Sequence, residues 1–303
     1  MKNNLRKPKW LVSRTKGSVK SREIIKKLRK YNLHTVCESA KCPNRGECFE
    51  RGTATFMILG STCTRNCTFC AVDKNTENLL KPDVHESENI ALLVNELNLQ
   101  HVVITTVTRD DLADGGASQF AEVIRTIREK CSPDVSVEVL ISDLKGNEEA
   151  LQTILQAKPD ILNHNVETIQ RLYPEVRPMA DYELSLKLLK NSKTDNILTK
   201  SGFMVGLGET KQEIKKLMED LKQSKVDIVT IGQYIAPSVK HYSVKEYVHP
   251  DVFAEYEETG MQTGFKLVES GPLVRSSYFA EKAKEFLEQN KDGNSINLNI
   301  GSL

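Results

Sequence analysis

The chain has 303 residues, a formal net charge of +1 and 39% apolar residues, enough for one large core or two medium ones. The near-zero charge removes any broad electrostatic case for nucleic acid, and no run approaches the ~20 apolar residues of a membrane span. The basic start, Met1 to Lys7, has no apolar stretch behind it, which argues against secretion. In chain order, a helix is predicted over Ser21 to Tyr31. The run Ala54 to Leu59, short, apolar and closed by Gly60, reads as a strand. A helix follows over Glu86 to Leu97, then a strand over His101 to Val107. The next helix, Ser118 to Lys130, carries Phe120, Val123, Ile124 and Ile127 at i, i+3, i+4 and i+7. Val135 to Ile141 is the next strand and Asn147 to Ala157 the next helix, closed by Lys158-Pro159. A strand over Asp160 to Val166 leads to helical stretches near 167–173 and 181–192. Thr199 to Val205, a helix over Lys211 to Gln223 and Asp227 to Gly232 complete six strand–helix units, an α/β pattern that implies a parallel sheet. Beyond about residue 251 come one amphipathic helix, the apolar Lys266-Leu267-Val268 and the run Gly271 to Tyr278. The polar tail from Asn290 to Leu303 is expected to be poorly ordered. Three regions result: 1–52, 53–250 and 251–303.

Six of the seven cysteines fall in two triplets, Cys37-x4-Cys42-x5-Cys48 and Cys63-x3-Cys67-x2-Cys70. Clustered cysteines without a signal peptide indicate metal rather than disulfides, and a reducing, cytoplasmic setting. Three thiolates fall one short of a closed tetrahedral zinc site and one short of an iron–sulfur cubane. Each triplet therefore leaves a metal position open or draws its last ligand from elsewhere. The second triplet sits on a loop leaving the end of a strand. Taken alone, it also suits a zinc-bound loop, and the first triplet suits a zinc site completed by His34. Cys131, between a helix and a proline, reads as a structural thiol.

The segment Gly60 to Cys70, with Phe69 just before the third cysteine, resembles the radical S-adenosylmethionine (SAM) superfamily. That resemblance implies an α/β fold, a partial (β/α)6 TIM-like barrel with N- and C-terminal extensions, and a cluster at the C-terminal mouth of the strands. It implies that Cys63, Cys67 and Cys70 hold a [4Fe–4S] cluster whose fourth iron takes SAM, with Phe69 against the adenine. Gly115 and Gly116 would meet the methionine amine, since backbone approaches a ligand closely where no Cβ intervenes. Asn163, Asn165 and Glu138 are candidates for ribose or carboxylate. Arg177 and Arg109 are candidates for the SAM carboxylate through ordinary arginine–carboxylate pairing. Each of these has an alternative as a solvated strand residue or a surface ion pair of little worth.

Nearly end to end, the chain is similar to the lipoyl synthase family. The similarity is carried by Lys7-Pro8-Lys9-Trp10-Leu11, Cys37 to Cys48, Thr108 to Ala117, Asn163 to Thr168, Arg171 to Pro178, Lys200 to Glu209, and Arg275-Ser276-Ser277-Tyr278. It implies insertion of two sulfur atoms at carbons 6 and 8 of an octanoyl chain on a carrier lysine. Those C–H bonds are unactivated, so a cofactor must carry the chemistry while the protein supplies position and electrostatics. By the same resemblance Cys37, Cys42 and Cys48 hold a second, auxiliary [4Fe–4S] cluster, the sulfur donor. Its fourth ligand would be Ser277, with Ser276 the alternative. Without the resemblance, the two serines read as a helix N-cap. The implied partners are octanoylated lipoyl domains of 2-oxoacid dehydrogenase E2 subunits or glycine cleavage H protein, flavodoxin or ferredoxin as reductant, and Fe–S carrier proteins. Basic residues in 1–30 and at Lys240-His241 could meet an acidic carrier or form a plain solvated face. Two other classes stay open: a methylthiotransferase, which usually carries an extra RNA-binding domain, and a non-catalytic zinc protein.

Overall fold

The computed structural model describes residues 6–12, 19–39, 42, 44–50 and 55–277. Tyr278 and the polar tail lie outside these residues.

All six predicted strands form. They are β2 (Thr55–Ile58), β3 (His101–Thr106), β4 (Ser136–Leu140), β5 (Ile161–Asn163), β6 (Leu198–Val205) and β7 (Ile228–Gln233). They pair in parallel in chain order, as the right-handed strand–helix–strand repeat requires. The sheet is wider than the repeat suggests. β8 (Leu267–Gly271) adds a parallel strand beside β7, and β1 (His34–Thr35) pairs antiparallel with β2. The central strands are buried on both faces because helices cover the outside and side chains fill the inside.

The helices between the strands follow their apolar spacing. They are α4 (Glu86–Glu96), α5 (Ala117–Lys130), α6 (Glu148–Gln156), α8 (Tyr182–Ser192), α9 (Lys211–Gln223) and α10 (Pro250–Thr263). Their starts are specified locally. Asn147, Asp181 and Thr210 accept backbone N–H groups of the first turn, and Thr210 with Glu213 makes a reciprocal capping box. The helical stretch near 167–173 forms only in its second half, as a 3-10 turn over Gln170–Leu172. Glu167 holds a left-handed φ of 64° and its backbone bridges to β6, donating to Gly202 O and accepting from Met204 N. That commitment delays helix until the 3-10 turn, which leads straight into α7 (Tyr173–Val176), where Pro174 sits in the first turn. N-terminal to β2, α1 (Val19–Lys30) is followed by two short helices, α2 (Val36–Ser39) and α3 (Arg45–Glu50).

Alternate residues along each strand point inward and build the interior in layers. Ile161 and Ile228, with Leu198 and Leu267 against them, close the N-terminal end of the barrel. Two residues further along the strands, Glu138, Asn163 and Lys200 form a polar layer: Lys200 donates to both carboxylate oxygens at 3.0 Å and Asn163 donates at 2.9 Å. Beyond that layer Thr105, Leu140, Gly202 and Gly232 open onto a cavity at the C-terminal mouth of the strands. The N-terminal segment is not a separate body, since Ile24, Leu28, Leu33 and Cys37 join the same apolar cluster as β2–β4 and α4–α6.

Candidate active site: two thiol triplets on one cavity

The cavity is about 570 Å³. All six triplet cysteines line it, together with Ser276 and Ser277, so residues more than 200 positions apart share one wall. None of the seven cysteines forms a disulfide. Among the described residues no three His, Cys, Asp or Glu side chains close around a single-ion position.

The second triplet is a heavily tied loop. Cys63 N–H donates to Asp73 O at 2.8 Å, Thr64 N–H to Thr108 O at 2.9 Å, and Thr68 N–H to Val176 O at 3.0 Å. Tyr242 N–H donates back to Thr68 O at 2.9 Å, and Lys74 Nζ to Cys67 O at 2.7 Å. Arg65, between the first two cysteines and 5% exposed, forks onto two carboxylates, Asp110 and Asp143. Burial pushes the Cys70 thiol up to about 11, and raises Cys67 as well, against the pull of Arg177. A metal ion bound by these thiolates would have to displace those protons.

The first triplet runs from α2 to α3. Cys37 is buried on α2 and its thiol is pushed up to about 11 by that burial, while Cys48 lies on α3. The C-terminal run is brought against it by two contacts. Asn44 Nδ2 donates to Leu273 O at 2.6 Å, and Gly232 lets Val274 lie directly on β7, where an added Cβ would overlap the Val274 carbonyl oxygen. Lys7 and Arg275 also line this part of the cavity. Partial burial, then the neighbouring Arg275, hold the Lys7 ammonium below its usual value. Two cations beside three thiols suit a site that becomes anionic on losing its protons.

The candidates for SAM divide cleanly. Phe69, Asn165 and Arg177 line the cavity. Arg177 Nη1 donates to Asn165 O, Val166 O and the Tyr173 hydroxyl at 2.9–3.1 Å, which leaves Nε without a partner among the described residues. Asn165 Oδ1 and His164 Nε2 are likewise buried and unpartnered. Burial, then Arg177, push the His164 imidazole down to about 4, so it is neutral. Its Nδ1 lies 2.9 Å from Ile141 O and must carry the hydrogen, which makes Nε2 a bare acceptor. Orphaned donors and acceptors on one cavity fit a ligand with both polarities, as SAM has. Asn163, Glu138, Gly115, Gly116 and Arg109 are not in the lining. Asn163 and Glu138 belong to the polar layer below. Arg109 pairs with Asp111 at 2.8 Å and donates to Leu59 O at 3.1 Å. Gly116, at φ 91°, precedes α5, where a Cβ would run into Leu59. The residues at the end of β3 and just after it that do line the cavity are Thr105 to Thr108. The sequence reading also missed Arg65, Lys74, His164, Glu167 and Arg275. Only Arg65 carried a local signal, a long cation inside a cysteine loop.

A parallel strand–helix sheet with a three-thiol loop at its C-terminal mouth defines a radical SAM protein, and residues 57–221 match the radical SAM superfamily. The structure of methylornithine synthase overlays with a TM-score of 0.54 at 12% identity, covering 71% of this chain and 70% of that one, which supports the fold. A lipoyl synthase of Caldicellulosiruptor bescii is 54% identical over 94% of this chain and 97% of its own length. One of Alkaliphilus metalliredigens is 53% identical over 95% and 99%. The chain belongs to the lipoyl synthase family, whose chemistry is sulfur insertion.

Proposed function

We propose that this chain converts a protein-bound octanoyl-lysine to the lipoyl group using two [4Fe–4S] sites on one cavity. Cys63, Cys67 and Cys70 hold the cluster that takes SAM, and Cys37, Cys42 and Cys48 with Ser277 hold the auxiliary cluster. The observation carrying this reading is the shared lining: both triplets and the Arg275-Ser276-Ser277 run face one space. The three regions then divide the work: 1–52 brings the auxiliary thiols, 53–250 the barrel and SAM loop, and 251–303 the serine.

Bound there, SAM and the clusters supply the hydrogen abstraction and the sulfur, which no side chain can provide. The chain's residues bind, orient and exclude water. Arg177 and the neutral His164 offer a donor and an acceptor to the SAM head group, and Phe69 offers an apolar face to adenine. Val107, Leu140, Ile141, Phe203, Met204 and Ile235 give the apolar wall that an octanoyl chain needs. An alkoxide from Ser277 is a harder donor than thiolate and an unusual partner for iron, which suits a cluster that must give up sulfur. The substrate is a lipoyl carrier domain: an E2 lipoyl domain or glycine cleavage H protein. Flavodoxin or ferredoxin as reductant, Fe–S carrier proteins and a cytoplasmic setting complete the proposal. Among the described residues no helix is long and apolar enough to cross a membrane.

The test is anaerobic reconstitution followed by SAM, dithionite and an octanoyl-lysyl carrier peptide, read by mass spectrometry. About eight irons per chain, release of 5′-deoxyadenosine and a peptide gaining two sulfurs are expected. C37A should lower iron to about four per chain, keep SAM cleavage and abolish sulfur insertion. S277A should weaken only the auxiliary cluster; if S276A does so instead, the ligand is Ser276. Cleavage of SAM with no sulfur on the peptide would redirect the reading to another radical SAM substrate. Zinc in place of iron would end it.

A further inference from the structure

Arg65 lies inside the SAM-loop triplet, yet its side chain turns away from solvent and spends four of its donors on two carboxylates. Nε and Nη2 reach Asp110 at 2.8 and 3.0 Å, and Nη1 and Nη2 reach Asp143 at 2.6 Å each. Asp110 follows β3 and Asp143 follows β4, so one guanidinium sews the cysteine loop to the ends of the next two strands. Asp110 is itself held, its N–H donating to Thr64 Oγ1 at 3.0 Å, and Asp143 Oδ1 accepts from Lys145 N at 3.0 Å. A planar fork can pair both oxygens of two carboxylates at once; an ammonium, with three donors and no fixed plane, cannot make both bidentate pairs.

The backbone of the same residue makes a different contact. Arg65 N–H donates to Cys63 Sγ at 3.4 Å. Hydrogen bonds to ligating sulfur raise the reduction potential of an iron–sulfur cluster. We infer that Arg65 is a positioning residue whose double carboxylate clamp aims its own N–H at Cys63 Sγ and so keeps the SAM-binding cluster reducible. Clamp and charge oppose each other: guanidinium plus two carboxylates carry net −1, which by electrostatics alone disfavours adding an electron. The contribution that favours reduction is the held N–H.

The inference rests on Cys63, Cys67 and Cys70 being cluster ligands, so each variant is first assayed for iron and for the cluster's electron paramagnetic resonance (EPR) signal. If C63A leaves both unchanged, that assignment has failed, whatever Arg65 does. If C63A removes one cluster, D110N and R65K are compared with the parent by redox titration of that cluster in the reconstituted full chain. D110N removes one negative charge and breaks half the clamp. A pure charge effect raises the potential; loss of the aimed N–H lowers it. The expected result is a fall of about 59 mV or more, a tenfold change for a one-electron couple, in both variants. Slower SAM cleavage at fixed reductant should accompany it. A rise in D110N, or an R65K potential equal to the parent's, overturns the inference. If a variant fails to retain its cluster, hydrogen exchange of the Arg65 amide in the cluster-free chain decides. Faster exchange than in the parent supports the clamp, and unchanged exchange overturns it.

Discussion

Glu138 shows how much a single side chain can be asked to do. It has no exposed surface, and its carboxylate takes Lys200 through both oxygens at 3.0 Å and Asn163 at 2.9 Å. Burial raises the pKa of such a group, but Lys200, with His101 and Asn163, outweighs burial and holds the carboxyl ionised well below its usual range. Removing one partner strands the other charge in the barrel. E138Q should therefore cost ~3–5 kcal/mol in urea unfolding, whereas E138M with K200M should recover most of it, because two apolar side chains leave no charge to desolvate. A single-variant cost below ~1 kcal/mol would mean that the pair does not hold this layer. From the sequence, Glu138 and Asn163 read as SAM candidates because they sit on strands near the right end. Two residues along a strand, roughly 7 Å, decide between cavity wall and buried floor, and only register settles that.

At the scale of elements, the corner joining β2, α4 and α5 carries a pH dependence. Leu59, left-handed at φ 66°, donates its N–H to both oxygens of Glu86 at 3.2 Å, and Gln119 adds a bond at 2.9 Å. Burial pushes the Glu86 carboxyl up to about 7 despite those donors. The folded chain then holds a proton that the unfolded chain has already released between its ordinary pKa near 4.5 and about 7. Stability from this group is full below pH 4.5 and is lost as pH rises through about 7. Relative to E86Q, the parent should lose ~2–3 kcal/mol between pH 5 and 8. Chemical denaturation of both proteins across that range measures it, and a parallel pair of curves would refute it. The late start of helix in 167–173, at Gln170, belongs to this scale as well. Apolar spacing permits helix from 167 on, but a bridge to β6 claims the backbone of Glu167 first.

For the whole molecule, the question is how the C-terminal run reaches thiols from the other end of the chain. Gly232 on β7 is the point of closest approach, with Arg275 Nη1 3.2 Å from where a Cβ would stand and the Val274 carbonyl closer still. G232A should leave the sheet intact and displace the serines. The expected result is loss of about four irons per chain with SAM cleavage retained. Full iron content in G232A would show that the run tolerates the shift.

The sequence by itself determined the local features: six strands and most helices, because apolar period and capping residues act within a turn or two. It also determined the second triplet, because three thiols on one short loop cannot be far apart. The meeting of Cys37, Cys42 and Cys48 with Ser276 and Ser277 was legible only through family resemblance, since no spacing rule spans more than 200 residues. Tertiary structure alone decided which strand residues face the cavity, that β1 and β8 widen the sheet, that Gly115 and Gly116 stand outside the cavity lining, and that Arg65 is clamped by Asp110 and Asp143. Those outcomes depend on register and on loops from different strands converging at one end of a barrel, where neighbours in space are strangers in sequence.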